Sequence, residues 1–148
     1  MIIAPATTAD IPALSALLSL LFEQEAEFKP DPAAQARGLA LIIADPAIGL
    51  VLAARQRDQI VGMINLLFTV STALGERVAL LEDLIVAPPA RGGGIGSQLL
   101  TTAIAAAHEY GCRRITLLTD RDNAAAQRIY ARHGFTASAM LPMRLHRT

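Results

Sequence analysis

The sequence predicts an α/β (α+β) fold: a mixed, mostly antiparallel sheet of six or seven strands with a central parallel pair, flanked by about four helices. Two observations carry that reading. Short apolar segments at 48–54, 60–68 and 79–86 are separated by polar turns, the pattern of a β-meander. The last of them is followed by a glycine loop, a helical pattern and another strand-like run, and a strand, crossover helix and strand pair in parallel with a right-handed connection. At 148 residues and 53% hydrophobic, the chain reads as one domain, 1–148, able to bury a core without staples.

Residues 1–5 can form a first strand. A helix from 7 to about 27 follows, with Leu14, Leu17, Leu18, Leu21 and Phe22 toward the core. Thr7 and Asp10 have capping-box spacing, but Pro12 suits a position just inside a helix start, so Asp10 is an alternative cap. Glu23, Glu25 and Glu27 precede the loop Lys29-Pro30-Asp31-Pro32, and a second helix is expected over 33–44. The polar turn 55–59 makes 48–54 and 60–68 a hairpin; 69–77 is a second connection. Beyond the glycine loop, Ile95, Leu99, Ala103, Ala107 and Tyr110 form one helical stripe, and 114–119 gives a fifth strand. Residues 119–123 supply turn and cap for a short helix over 124–132, which Gly134 ends. Segments 135–138 and 143–146 are candidate closing strands.

In the third meander strand Glu82 and Asp83 are adjacent, and strict alternation lets at most one of them face any given site. Pro88 and Pro89 end that strand, and Arg91-Gly92-Gly93-Gly94-Ile95-Gly96-Ser97 opens the helix. Glycines let successive amides turn inward and the helix N-terminus adds about half a positive charge, so this is a preformed anion site, with Arg91 a cationic fork beside it. A P-loop would need Gly-Lys-Ser/Thr, and no lysine is present. A dinucleotide fingerprint fits at Gly92 and Gly94 but meets Ser97 where its third glycine belongs; Asp120 stands near its ribose-binding position. The third reading, R-x-x-G-x-G, is met by Arg91, Gly94 and Gly96.

That last pattern resembles the pyrophosphate-binding motif of the GCN5-related N-acetyltransferases. A second motif supports the resemblance: Asn123 and Tyr130, seven residues apart on one face of a short helix and continuing into His133-Gly134-Phe135. The resemblance implies a fold of this family, acetyl-CoA as co-substrate and direct transfer to a primary amine. It implies a coenzyme site of Leu84, Ile85, Val86, Arg91, Gly92, Gly93, Gly94, Ile95, Gly96, Ser97, Asn123 and Tyr130. It makes Tyr130 the proton donor to the leaving thiol. An ammonium is mostly protonated at neutral pH, so a base is needed: Glu82, acting through water, with Asp83 the other choice. A backbone amide near 84–86 would hold the oxyanion. Residues 68–72 and 81–84 also resemble the diamine acetyltransferase branch, which prefers an aromatic where Val70 stands. The acceptor is thus a small primary amine, a diamine or an amino acid. Two other classes stay open: a non-catalytic acyl-CoA binding or sensing module and an NAD-binding oxidoreductase.

A net charge of zero offers no global field to draw in nucleic acid. The single Cys112 excludes an internal disulfide and suits a reducing compartment, and metal-ligand spacing is absent, so no metal is expected. Residues 14–22 follow Asp10 rather than Lys or Arg and fall short of the roughly 20 apolar residues of a span, so neither export nor membrane insertion is expected and the location should be cytoplasmic. His108, His133 and His146 read as structural or solvated. Met140, Leu141, Met143 and Leu145 are apolar enough to leave a homodimer surface, although a chain of 148 residues could also bury them internally.

Overall fold

The computed structural model describes residues 1–25 and 28–147. Five strands form one sheet in the order β1-β2-β3-β4-β5: β1 (Ile2–Pro5), β2 (Gly49–Gln56), β3 (Gln59–Ser71), β4 (Glu76–Val86) and β5 (Ile115–Leu117). The first four pair antiparallel, and β5 joins β4 in parallel. The meander strands run longer than expected because their turns are tighter. Between β2 and β3 only Arg57 and Asp58 turn the chain, both at positive φ (51° and 65°), the twist a two-residue hairpin needs.

Helices α1 (Ile11–Gln24) and α2 (Pro32–Ala44) cover one face, burying Leu14, Leu17, Leu18 and Leu39 against Val51, Ala53, Met63 and Ile85. Helix α3 (Ile95–Glu109) covers the other, with Ile95, Leu99, Ala103 and Ala107 against Leu52, Ile64, Leu66, Ala79 and Leu81. Tyr110 leaves that stripe to stack on Phe68, ring centroids 4.7 Å apart. The short α4 (Ala124–Arg132) lays Ile129 and Tyr130 on the α3-side core.

Two expectations are corrected. The sheet has five strands, not six or seven, because 135–138 and 143–146 form no strand among the described residues. Pro142, which cannot donate to a ladder, separates the two segments, and Met140, Leu141, Met143 and Leu145 stay 77–100% exposed. Helix α1 ends at Gln24, not near 27; Glu27 lies outside the described residues. At its start both cap residues take part. A 3₁₀ turn (Thr8–Asp10) precedes the helix, the Asp10 carboxylate accepts the Thr7 amide at 2.8 Å, and Pro12 is the second helical residue.

Asp10 is itself mostly buried and paired with Arg55 of β2, which fastens the start of α1 to the sheet. The Arg55 guanidinium, ahead of the opposing effect of burial, holds the Asp10 carboxyl below its usual range. A lowered carboxyl stabilises the fold above its unfolded pKa, and that contribution disappears as pH falls through the folded value. Asp10→Asn is expected to cost roughly 1.5–3 kcal/mol at pH 7, with the difference from wild type closing below about pH 4. Urea unfolding at pH 7 and pH 3 reads it; an unchanged difference at pH 3 contradicts it.

Candidate active site

The site begins with a register break. Ile64 faces Leu84 and Leu66 faces Leu81, so the single Asn65 of β3 stands opposite both Glu82 and Asp83, a β-bulge in β4. A bulge frees backbone groups that burial would leave unpaired. Buried Asn65 meets that demand: its Oδ1 accepts the Asp83 amide and its Nδ2 donates to Asp83 Oδ2, both at 2.9 Å.

The bulge resets the alternation of β4. Ala79 and Leu81 face α3, and so do Leu84 and Val86, whereas Ile85 faces α1 and α2. Glu82 and Asp83 therefore both look to the α1–α2 side, correcting the expectation that only one could enter a site. Both line a cavity of about 280 Å³ beneath α2. Glu82 is exposed and Asp83 half-buried. Burial pushes the Asp83 carboxyl up to about 6; the Asn65 hydrogen bond opposes the rise and the neighbouring Glu82 charge adds to it.

Strand β5 pairs only with Ala79–Leu81, so beyond Leu81 β4 continues with β3 on one side and, among the described residues, no strand on the other. Ala87 donates to the Val61 carbonyl at 2.8 Å. By antiparallel alternation Ile85 also turns its amide to β3, and those of Leu84 and Val86 point into the opening. The Val86 carbonyl is taken at 2.9 Å by Arg91 Nε, so Arg91 ties the glycine loop to the strand end.

In that loop Gly92 (φ 90°) and Gly94 (φ 85°) hold the left-handed backbone that turns the chain into α3. A Cβ on Gly92, Gly93 or Gly94 would meet nothing within 4 Å, so the space over the loop is open. Gly96 lies against Val86, with a Cβ position 3.7 Å from Cγ2. The first-turn amides of Ile95, Gly96 and Ser97 have no acceptor within the helix. A loop with open space above it and amides to donate fits a diphosphate.

Asn123 caps α4, its Oδ1 accepting the Ala126 amide at 3.1 Å, and Gln127 braces the preceding turn by donating to the carbonyls of Asp120 and Arg121 at 2.9 Å each. Two turns on, Tyr130 is partly buried with its ring edge-on to Phe135. Burial first, then the charges of Glu25 and Asp83, raise the Tyr130 phenol above its ordinary value, so it keeps its proton at neutral pH. His133 has a structural place, as expected. Its Nδ1 lies 2.9 Å from the Ile129 carbonyl and therefore carries the proton, leaving Nε2 to accept from Ser97 (3.2 Å) and Thr101 (3.3 Å), which pins α4 to α3.

Sequence reasoning missed Asn65, although a lone amide inside Met63-Ile64-Asn65-Leu66-Leu67 signals a buried polar duty. It also missed the cavity wall from α1 and α2, which no local pattern marks.

Residues 13–135 match the model of the acetyltransferase (GNAT) family. The chain is 33% identical over 133 residues to the aminoalkylphosphonate N-acetyltransferase of Salmonella typhimurium, covering 90% of this chain and 83% of that one. A solved structure described as a transcriptional regulator from Bacillus halodurans superposes with a TM-score of 0.82 at 34% identity, over 98% of both chains. A possible acetyltransferase from Clostridium difficile reaches 0.88 at 14% identity over 99% and 97%, a likeness of fold alone.

The bulge has a measurable cost. Asp83 titrates near 6 in the fold and near 3.9 unfolded. The native state thus binds the extra proton between those values and loses stability as pH rises through them. Asp83→Asn keeps an acceptor for Asn65 and removes the buried charge. It is expected to be more stable than wild type by roughly 1–3 kcal/mol at pH 8, with the gain vanishing near pH 4. A pH-independent offset in urea unfolding contradicts this.

Proposed function

The chain belongs to the GNAT family of acetyltransferases and is an N-acetyltransferase with acetyl-CoA as co-substrate; from that premise we propose direct transfer of the acetyl group to a primary amine of a small molecule. The observation that carries this reading is Asp83, which lines a cavity of about 280 Å³ and lies close enough to Tyr130 for its charge to act on the phenol. The relative's aminoalkylphosphonate, a diamine and an amino acid are the reference acceptors.

In this reading the amides of Ile95, Gly96 and Ser97, with Arg91 beside them, would hold the diphosphate of the coenzyme, and the opening between β4 and β5, with Asn123, would hold its arm. Bound there, acetyl-CoA supplies an activated acyl carbon and a good leaving thiolate. The remaining work falls to the chain. Glu82, exposed at the cavity floor, draws in the ammonium. Asp83, with a carboxyl titrating near neutrality, takes its proton. The Leu84 and Val86 amides present donors where negative charge develops. Tyr130 keeps a proton to give at the far side of the opening. None of the described helices is long and apolar enough to cross a membrane, and the proposed location is the cytoplasm. A homodimer through the exposed 140–145 segment is part of the proposal; sedimentation of wild type against Leu145→Glu decides it.

Acetyl-CoA at a hundredfold excess over Kd should raise Tm by about 5–10 °C, and Gly94→Asp, a branched side chain at φ 85°, should abolish the shift. Loss of the shift with NAD active instead would reject the reading. With a turned-over amine, log kcat should fall below an acid limb near 6, and Asp83→Asn should remove that limb. Tyr130→Phe should lower kcat about a hundredfold while leaving the acetyl-CoA shift intact. An unchanged pH profile in Asp83→Asn would leave Glu82 as the base.

A further inference from the structure

Resting on the amine-acetylation reading, we infer that the acceptor is a small primary amine with an apolar body, seated between α2 and the β4 bulge. The cavity of about 280 Å³ is small for a ligand site, which bounds the acceptor to a compact molecule. Its chemistry is one-sided. Helix α1 contributes Leu18 and Phe22, α2 contributes Gly38, Leu39 and Ile42, and Phe28 closes over them with its ring 5.6 Å from that of Phe22.

The polar side chains of the walls already serve the protein. Gln35 donates to the Ser15 carbonyl (2.9 Å) and to the hydroxyls of Ser15 and Ser19, while its oxygen accepts the Asp31 amide at 2.8 Å. Both ends of the Asn65 amide are held by Asp83. Asp31 caps α2 through the Ala34 amide at 3.2 Å. What remains for a ligand's charge inside the cavity is the carboxylate pair on the bulge, Asp31 being exposed at the rim, and two carboxylates on adjacent residues serve one nitrogen. An amine anchored there lays its other end along Leu39, Ile42 and the phenylalanines, where a second ammonium would be desolvated without a partner. Lys29 is the one cation among the lining residues, exposed at the rim and two residues from Asp31, whose charge opposes its own.

The test compares kcat/KM at saturating acetyl-CoA for ethylamine, butylamine, hexylamine, 1,4-diaminobutane and 2-aminoethylphosphonate, following thiol release. Each added methylene should raise kcat/KM about fourfold until the cavity fills, the fold-change equivalent to burying one CH₂. The diamine should fall at least tenfold below butylamine. Gly38→Leu supplies the structural control: a Cβ there meets nothing within 4 Å, and leucine in a helix interior is more stable than glycine, so the variant folds. It should cut the hexylamine-to-ethylamine ratio at least tenfold by filling the cavity. A flat chain-length profile, or preference for the diamine, overturns the inference and leaves acetyl transfer intact. Preference for 2-aminoethylphosphonate that Lys29→Ala removes overturns it in favour of a zwitterion. No turnover of any amine, with acetyl-CoA still raising Tm, overturns both this inference and the proposed reaction.

Discussion

The pair of hydrogen bonds between Asn65 and Asp83 is the constraint on which the site depends. By satisfying the amide that the bulge frees, Asn65 makes it possible for two residues of β4 to oppose one of β3 in the middle of a sheet. Everything downstream is shifted by one. Glu82 and Asp83 share the α1–α2 face, Leu84 and Val86 return to the α3 face, and the amides of those two residues are aimed away from β3. Without the bulge, one carboxylate would lie against the α3-side core, where Leu81 and Leu99 leave it no polar partner.

The same shift sets chemistry against stability. A carboxyl desolvated enough to titrate near 6 stores free energy that the fold must supply from elsewhere. Two devices on opposite faces supply rigidity around it. The Asp10–Arg55 pair fastens α1 to β2 on the cavity side. His133, bridging Ser97 and Thr101, locks α4 to α3 on the other, so that Tyr130 is held by a helix too short to be stable alone. The glycine loop is bound to the strand end by Arg91. The opening between β4 and β5 is thus framed by groups whose own positions are held by packing or hydrogen bonds.

Local patterns proved legible where they describe one element. The stripe of Ile95, Leu99, Ala103 and Ala107 is buried as read, and Asn123 caps α4. Gly94 stands at the N-cap of α3, where the glycine loop was read to open the helix. The errors fall where a residue's neighbour in space is far along the chain. Alternation placed Glu82 and Asp83 on opposite faces because it takes the strand as regular, and the residue that breaks the regularity is 18 positions away. Segments 135–138 and 143–146 have strand-like residues but pair with none of the described strands, and pairing, not composition, makes a strand.

The sequence by itself determined the order of elements, the crossover that makes β4 and β5 parallel, the glycine loop at a helix N-terminus and the two motifs that identify the family. These follow from periodicity and from residues acting on their own backbone. Only the tertiary structure decided which carboxylate is desolvated, how far β5 accompanies β4, and what lines the cavity. Burial and desolvation are properties of the surroundings, and Asp83's surroundings are assembled from β3, α1 and α2, segments that meet only when the sheet has formed.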